Sequence, residues 1–194
     1  LVAAAPGVGK SVFATNLSIF TAVPSIYLSA DSDEFTVKTR ACSILSGIEL
    51  SQVEQRLQDE AWEKYFTDLL HRTDHVDWCY QVDIDPEFIG LRLKAYAELR
   101  GIYPKLIVVD NLGNTVEEQA DEFADLRRIC RDLQRVARST RAHVMGLHHV
   151  VGAKEDGVDP ITLKDLVGKI GKIPEMVLGL NRAGDNAIQM TVPK

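Results

Sequence analysis

Ala4-Ala5-Pro6-Gly7-Val8-Gly9-Lys10-Ser11 fits the pattern A/G-x-x-x-x-G-K-S/T, with alanine at the first position where glycine is commoner. Each residue type has a physical reason to be there. Gly7 and Gly9 let the backbone curl so that its N–H groups converge on an anion. Lys10 supplies a cation with the reach for the β- and γ-phosphates of a nucleoside triphosphate. Ser11 offers a hydroxyl to Mg²⁺, and a helix starting here adds its positive end. The pattern also arises by chance in plain glycine-rich turns, so its context matters. Leu1 to Ala5 is short and apolar, as a buried strand is, and Lys10 to Ala22 carries helical apolar spacing at Val12, Phe13, Leu17 and Phe20. A strand before and a helix after are what a phosphate loop requires. The nucleotide is read as ATP with Mg²⁺, held by Ala4, Pro6, Gly7, Val8, Gly9, Lys10, Ser11 and Val12.

Ser25 to Ala30 reads as a second strand, and Ser32 as the cap of a helix from Asp33 to Leu45 that ends at Gly47. Ser51 and Glu54 form a capping-box pattern ahead of one long polar helix to about Arg72, with Trp62, Phe66 and Leu69 on its apolar face. Val76 to Val82 is strand-like. Asp85-Pro86 is a helix start, and Phe88, Leu91, Ala95 and Leu99 follow on one face. Lys105 to Asp110 is apolar on both faces, like a central parallel strand. Phe123, Leu126, Cys130, Leu133 and Ala137 mark an amphipathic helix, and Val144 to Val150 another buried strand. Ile173 to Leu180 and Ala187 to Val192 read as a hairpin around Ala183-Gly184-Asp185-Asn186. Strands alternating with helices imply an α/β fold: a mainly parallel central sheet flanked by helices, closed by a C-terminal β-hairpin.

The 194 residues fit a single domain spanning 1–194, and 45% apolar with 26% charged residues is a globular balance. Leu1 stands almost on the phosphate motif and the chain stops at Lys194, so trimming at both ends is expected. No apolar run approaches a membrane span and nothing resembles a secretory signal, which points to the cytoplasm and away from a membrane. Cys42, Cys79 and Cys130 are far apart among apolar neighbours, as buried thiols in a reducing compartment are. A net charge of −6 argues against affinity for nucleic acid spread over the whole surface, but leaves room for a local basic patch.

Asp110 closes the apolar run Leu106-Ile107-Val108-Val109, where a P-loop protein holds the water shell of its magnesium; the alternative is a simple strand-end cap. Hydrolysis needs a group that polarises the attacking water. Asp31, Asp33 and Glu34 lie just past the second strand. Asp33 and Glu34 are better explained as the first turn of the next helix, whereas Asp31 stays open between that role and facing the γ-phosphate. His148 and His149 end a strand on the same edge. Alternate residues face opposite sides, so at most one meets the phosphate. The alternatives are a satisfied core histidine or a metal ligand, the latter without Cys or His partners at ligand spacing.

APGVGKS, IYLSADS, KLIVVDN and VMGLHHV in this order resemble the RecA-like ATPases over nearly the whole chain, and among them the DnaB-type replicative helicases and the RepA-like hexameric helicases of phages and plasmids. The resemblance implies a catalytic acid at Asp31, with aspartate where the family usually has glutamate, a γ-phosphate sensor at His149, and catalytic Lys10. It makes Ser11 and Asp110 the magnesium residues, Asp110 through water. It implies a homo-oligomer, a hexameric ring, in which Lys194 is presented to the neighbouring subunit's ATP. Single-stranded DNA would pass through the centre, touching the loops Asn111 to Asp121 and Val151 to Leu163, where Lys154 is the contact cation. The first loop, with Glu117, Glu118 and Asp121, suits phosphate poorly. Three functions follow: a DNA helicase motor acting in replication, a RecA/RadA- or KaiC-like ring or filament ATPase, and a non-motor nucleotide-binding assembly module.

Overall fold

A computed structural model describes residues 1–82, 84–115, 122–150, 156–184 and 187–194. The chain runs β1 (Val2–Ala4), α1 (Lys10–Phe20), β2 (Ser25–Ser29), α2 (Glu34–Ser46), α3 (Leu50–Arg56), α4 (Glu60–Leu70), β3 (Val76–Cys79), α5 (Pro86–Arg100), β4 (Leu106–Asp110), α6 (Glu122–Thr140), β5 (His143–His149), β6 (Leu178–Arg182) and β7 (Ile188–Thr191). The strands form one sheet in the order β3-β2-β4-β5-β1-β6-β7. Every pairing is parallel except β6 with β7, the expected hairpin.

Parallel strands need crossovers, and right-handed ones sort the helices by direction of travel. α1 to α4 serve the connections that move toward β3, so they cover one face. α5 and α6 serve those that return, so they cover the other. Accordingly α2 packs with α1, α3 and α4, while α5 packs with α6. Both faces being covered, β4 is apolar up to its last residue, Asp110, and Ile107, Val108 and Val109 are inaccessible. A satellite core of Cys42, Val53 and Phe66, with Trp62 and Leu69 beside it, holds α2, α3 and α4 together. All three cysteines are free and buried. No helix among the described residues is long and apolar enough to cross a membrane.

Local signals set the element ends, with three corrections. Asp33, not Ser32, caps α2, its carboxylate accepting the Thr36 N–H at 2.9 Å. The Ser32 carbonyl is instead tied to the Ser29 hydroxyl at 2.7 Å, which keeps Ser32 in the preceding turn. The single helix expected from Ser51 to Arg72 is two. Asp59 accepts from the Ala61 N–H and starts α4, and this second cap interrupts the run. The Ser51–Glu54 capping box does not form, because α3 already begins at Leu50 with Glu49 as its N-cap. Lastly, the hairpin's first arm begins at Leu178 rather than Ile173. Residues Val167–Lys172 coil into short 3-10 turns, and the Val177 N–H is taken by the Lys194 carbonyl. Asp85 caps α5 through the Phe88 N–H at 2.6 Å, as its sequence suggests.

The sheet has one chemically useful edge. Ser29 pairs with Asp110 and Ala4 with His149, so the C-terminal ends of β1, β2, β4 and β5 lie side by side.

Candidate functional site

Between β1 and α1 the backbone turns through Gly7 (φ 72°) and Gly9 (φ 110°), both in the left-handed region that side chains disfavour. A Cβ at Gly9 would also come within 3.1 Å of Ile188 Cδ1. Gly9 is the N-cap of α1 and no side chain caps that helix, so its first-turn N–H groups remain available to an anion. Val8 is buried, and a Cβ on Gly157 would stand 2.5 Å from Val8 Cγ2. The chain after β5 therefore closes directly on the loop.

Lys10 is only 4% exposed. Its Nζ donates to the Ala4 carbonyl at 2.9 Å and the Ala5 carbonyl at 3.0 Å, and lies 2.9 Å from His149 Nδ1. An ammonium only donates, so Nδ1 accepts and the imidazole proton belongs on Nε2. Nε2 faces Asp31 Oδ2 at 3.8 Å, and the Asp31 side chain is 45% exposed at the lip. Burial lowers the Lys10 pKa to about 8, with Asp110 and Asp31 pulling the other way. Burial and the Lys10 charge lower the His149 pKa, which keeps the ring neutral at pH 7 against the opposing pull of Asp31 and Asp110.

Asp110 is 1% exposed, and the hydroxyl of Tyr27 donates to its Oδ2 at 2.7 Å. Tyr27 is itself buried, its ring 5.1 Å from that of Trp78. Burial first, and then the Asp110 charge, push this phenol well above its usual pKa, so it stays a donor. The Ala30 N–H donates to the Asp110 carbonyl at 2.7 Å, which fixes the end of β4 against β2.

The edge thus brings Lys10, His149 and Asp31 into one chain of contacts, with Asp110 close enough to act on both Lys10 and His149. Asp33 is occupied as a cap. His148 is enclosed: it is 5% exposed, and neither ring nitrogen has a partner among the described residues. Burial, followed by His149 and Lys10, pushes its pKa down to about 4. Lys194 sits at the opposite sheet edge, its Nζ donating to the Lys172 carbonyl at 2.9 Å, far from this chain's own phosphate loop. Lys154, Glu117, Glu118 and Asp121 lie outside the described residues.

Magnesium fits this donor set. Among the described residues no three His, Cys, Asp or Glu side chains cluster as an all-protein cage. A buried carboxylate with one oxygen already bonded, beside a loop ending in Ser11, suits instead a cation that keeps water and phosphate in its shell. A cavity of about 270 Å³ between α6 and β5, lined by Leu133, Ala137, Met145 and Leu178, is at the other edge and belongs to none of this.

Two residues at the site escape a reading of the sequence. Tyr27 is one. The other is Arg182, the last residue of β6, whose Nη2 would be 3.6 Å from a Cβ on Gly7. Its N–H donates to the Gly157 carbonyl at 2.6 Å, and its cross-strand partner is Ile188. The hairpin thereby walls the loop on the side away from Asp110. The available signal was topological: a strand that pairs with β1 in parallel ends beside the phosphate loop.

Residues 1–155 match the family described as AAA domain. The Gene 65 proteins of Mycobacterium phage L5 and Mycobacterium phage D29 are each 38% identical over 188 residues, covering 95% of this chain and 70% and 81% of theirs. Among solved structures, one described as an ATPase domain superposes with a TM-score of 0.83 at 14% identity, over 100% of this chain and 75% of that one. A DnaB-like replicative helicase, described with its interactions with primase, gives 0.85 at 15% identity over the whole of this chain. The chain spans about half of that helicase, 51% of its length. At such identities the likeness is one of fold: a mainly parallel sheet flanked by helices, with a terminal hairpin.

Proposed function

As the chain belongs to the AAA domain family, we propose that it is the ATP-hydrolysing motor domain of a ring-forming DNA helicase that acts in replication. The observation that carries the reading is the chain of contacts from Lys10 through His149 to Asp31 at the strand edge that holds Asp110. The fold shared with a solved ATPase domain and with a DnaB-like replicative helicase supports it.

Lys10 exchanges the carbonyls of Ala4 and Ala5 for the β- and γ-phosphates, while the N–H groups at the start of α1 hold the remaining phosphate oxygens. Bound magnesium supplies neutralisation of the charge shared by the phosphates. Ser11 and Asp110 would hold it, Asp110 through water. Asp31, at the exposed lip, accepts the proton of the attacking water. His149 loses its lysine partner when Lys10 moves, and so registers the γ-phosphate at the start of the loop that follows β5. Lys194, at the far edge, is available to a neighbour's ATP in a homo-oligomeric ring. Single-stranded DNA meets the loops 111–121 and 151–163, with Lys154 as a contact.

The deciding experiment is ATP turnover with and without single-stranded DNA, for the wild type and Lys10→Ala. Stimulation by DNA in the wild type and abolished turnover in a folded Lys10→Ala protein are expected. Unchanged turnover in the variant sinks the ATP site, whereas turnover indifferent to DNA sinks the motor.

A further inference from the structure

The chain carries a net charge of −6, yet one of its faces is strongly cationic. α6 turns Leu126, Ile129, Cys130 and Leu133 to the sheet. At about 100° per residue, Arg127, Arg128, Arg131, Arg135 and Arg138 then fall within an outward arc of roughly 100°. All are exposed except Arg127, which is half-buried and donates to the Gly168 carbonyl at 3.1 Å. That bond belongs to a seam. Gln134 Nε2 reaches the Ile173 carbonyl at 3.4 Å, and Arg138 lies 3.9 Å from Glu175. The segment 163–175 is thereby laid along the arginine arc, and it adds exposed Lys164, Lys169 and Lys172.

The acids on this face do not cancel it. Asp125 and Asp132 sit at the far margin of α6 and pair with Arg128 and Arg135, orienting them. Asp165 is bonded to Thr162 in a capping box. Among the described residues no ion pair holds Arg131 or the three lysines. Every cation on α6 is arginine, whose planar fork suits phosphate oxygens and is weakly hydrated. The helix also has the right placement. It follows the loop after β4 and runs about 28 Å to the opposite edge.

We propose that this face, the arginine arc of α6 with Lys164, Lys169 and Lys172 beside it, binds the sugar–phosphate backbone of a single nucleic-acid strand. It deepens the DNA part of the function proposed above, and rests on it. The contacts read charge rather than bases, so binding is indifferent to sequence and falls steeply with salt.

The test is the affinity for single-stranded oligo(dT) against salt, with a non-hydrolysable ATP analogue, for wild type, Arg131→Ala/Arg135→Ala and Arg131→Glu/Arg135→Glu. Removing two phosphate contacts should lower the slope of log K against log salt by about 1.4, which is about 25-fold weaker binding at 0.1 M salt. Charge reversal should weaken it further. Affinity for the analogue and the melting temperature should not move, since both side chains are solvent-exposed. A wild type that binds, with variants giving the same curves, overturns this surface alone. A wild type that hydrolyses ATP but binds no strand overturns the surface together with the motor reading. Variants that lose self-association in sedimentation while keeping the wild-type salt slope also overturn it, and make the face a contact between protein chains.

Discussion

Tyr27 has no part in the phosphate motif, yet it holds the carboxylate on which magnesium would depend. Its hydroxyl donates to Asp110 Oδ2 inside the sheet, and hydrogen bonds to charged groups contribute about 1.5–3 kcal/mol. Tyr27→Phe keeps the ring against Trp78 and removes only that bond. The expected result is a higher Mg²⁺ concentration for half-saturation of ATP-analogue binding, by roughly tenfold, with binding in EDTA unchanged. A lowered melting temperature with an unmoved Mg²⁺ midpoint would reduce Tyr27 to packing. The contrast with Lys10 shows what a sequence makes legible. Gly7, Gly9, Lys10 and Ser11 are neighbours along the chain, so their shared purpose is written in their spacing. Tyr27 and Asp110 are 83 residues apart, and Arg182 reaches Gly7 from the other end of the chain. Such pairs are set by sheet order, which no local pattern encodes.

The strand β5 carries two histidines into opposite environments, and its alternation is the whole cause. His149 meets Lys10; His148 is enclosed with both nitrogens unpartnered among the described residues. A base whose pKa falls from 6.5 to about 4 on folding binds more protons in the unfolded chain throughout that interval. Stability should therefore decline as pH drops from 6.5 toward 4, by roughly 3 kcal/mol from this ring alone. Urea unfolding at pH 7 and pH 4.5 should show a smaller acid loss in His148→Leu than in the wild type. Equal losses would mean that water reaches the ring. The strands themselves were readable because each is a short apolar run between turn residues, and that Asp85 starts α5 was readable because Asp-Pro leaves little choice. The division of α3 from α4 was not: Val53 of one and Phe66 of the other pack into the same small core, so the apolar face runs on past the break that the Asp59 cap makes. Charge periodicity on α6 was also available in the sequence, but its meaning needed the lysines of 163–175, which fold onto it from beyond β5.

For the whole molecule, the phosphate loop and Lys194 stand at opposite edges of the sheet, so no chain can bring its own Lys194 to its own nucleotide. Turnover per chain should accordingly rise with protein concentration and level off once chains are assembled; a rate per chain constant down to nanomolar protein would contradict shared sites. The sheet also keeps opposite charges apart. Glu49, Glu54, Asp59, Glu60, Glu63 and Asp68 are exposed on the α3–α4 side, and the arginines of α6 are on the other. Held across a rigid sheet, those charges give the protein a permanent dipole moment. In the field of a polyanion it experiences a torque before it experiences contact, and turns α6 toward the strand while still separated from it by water.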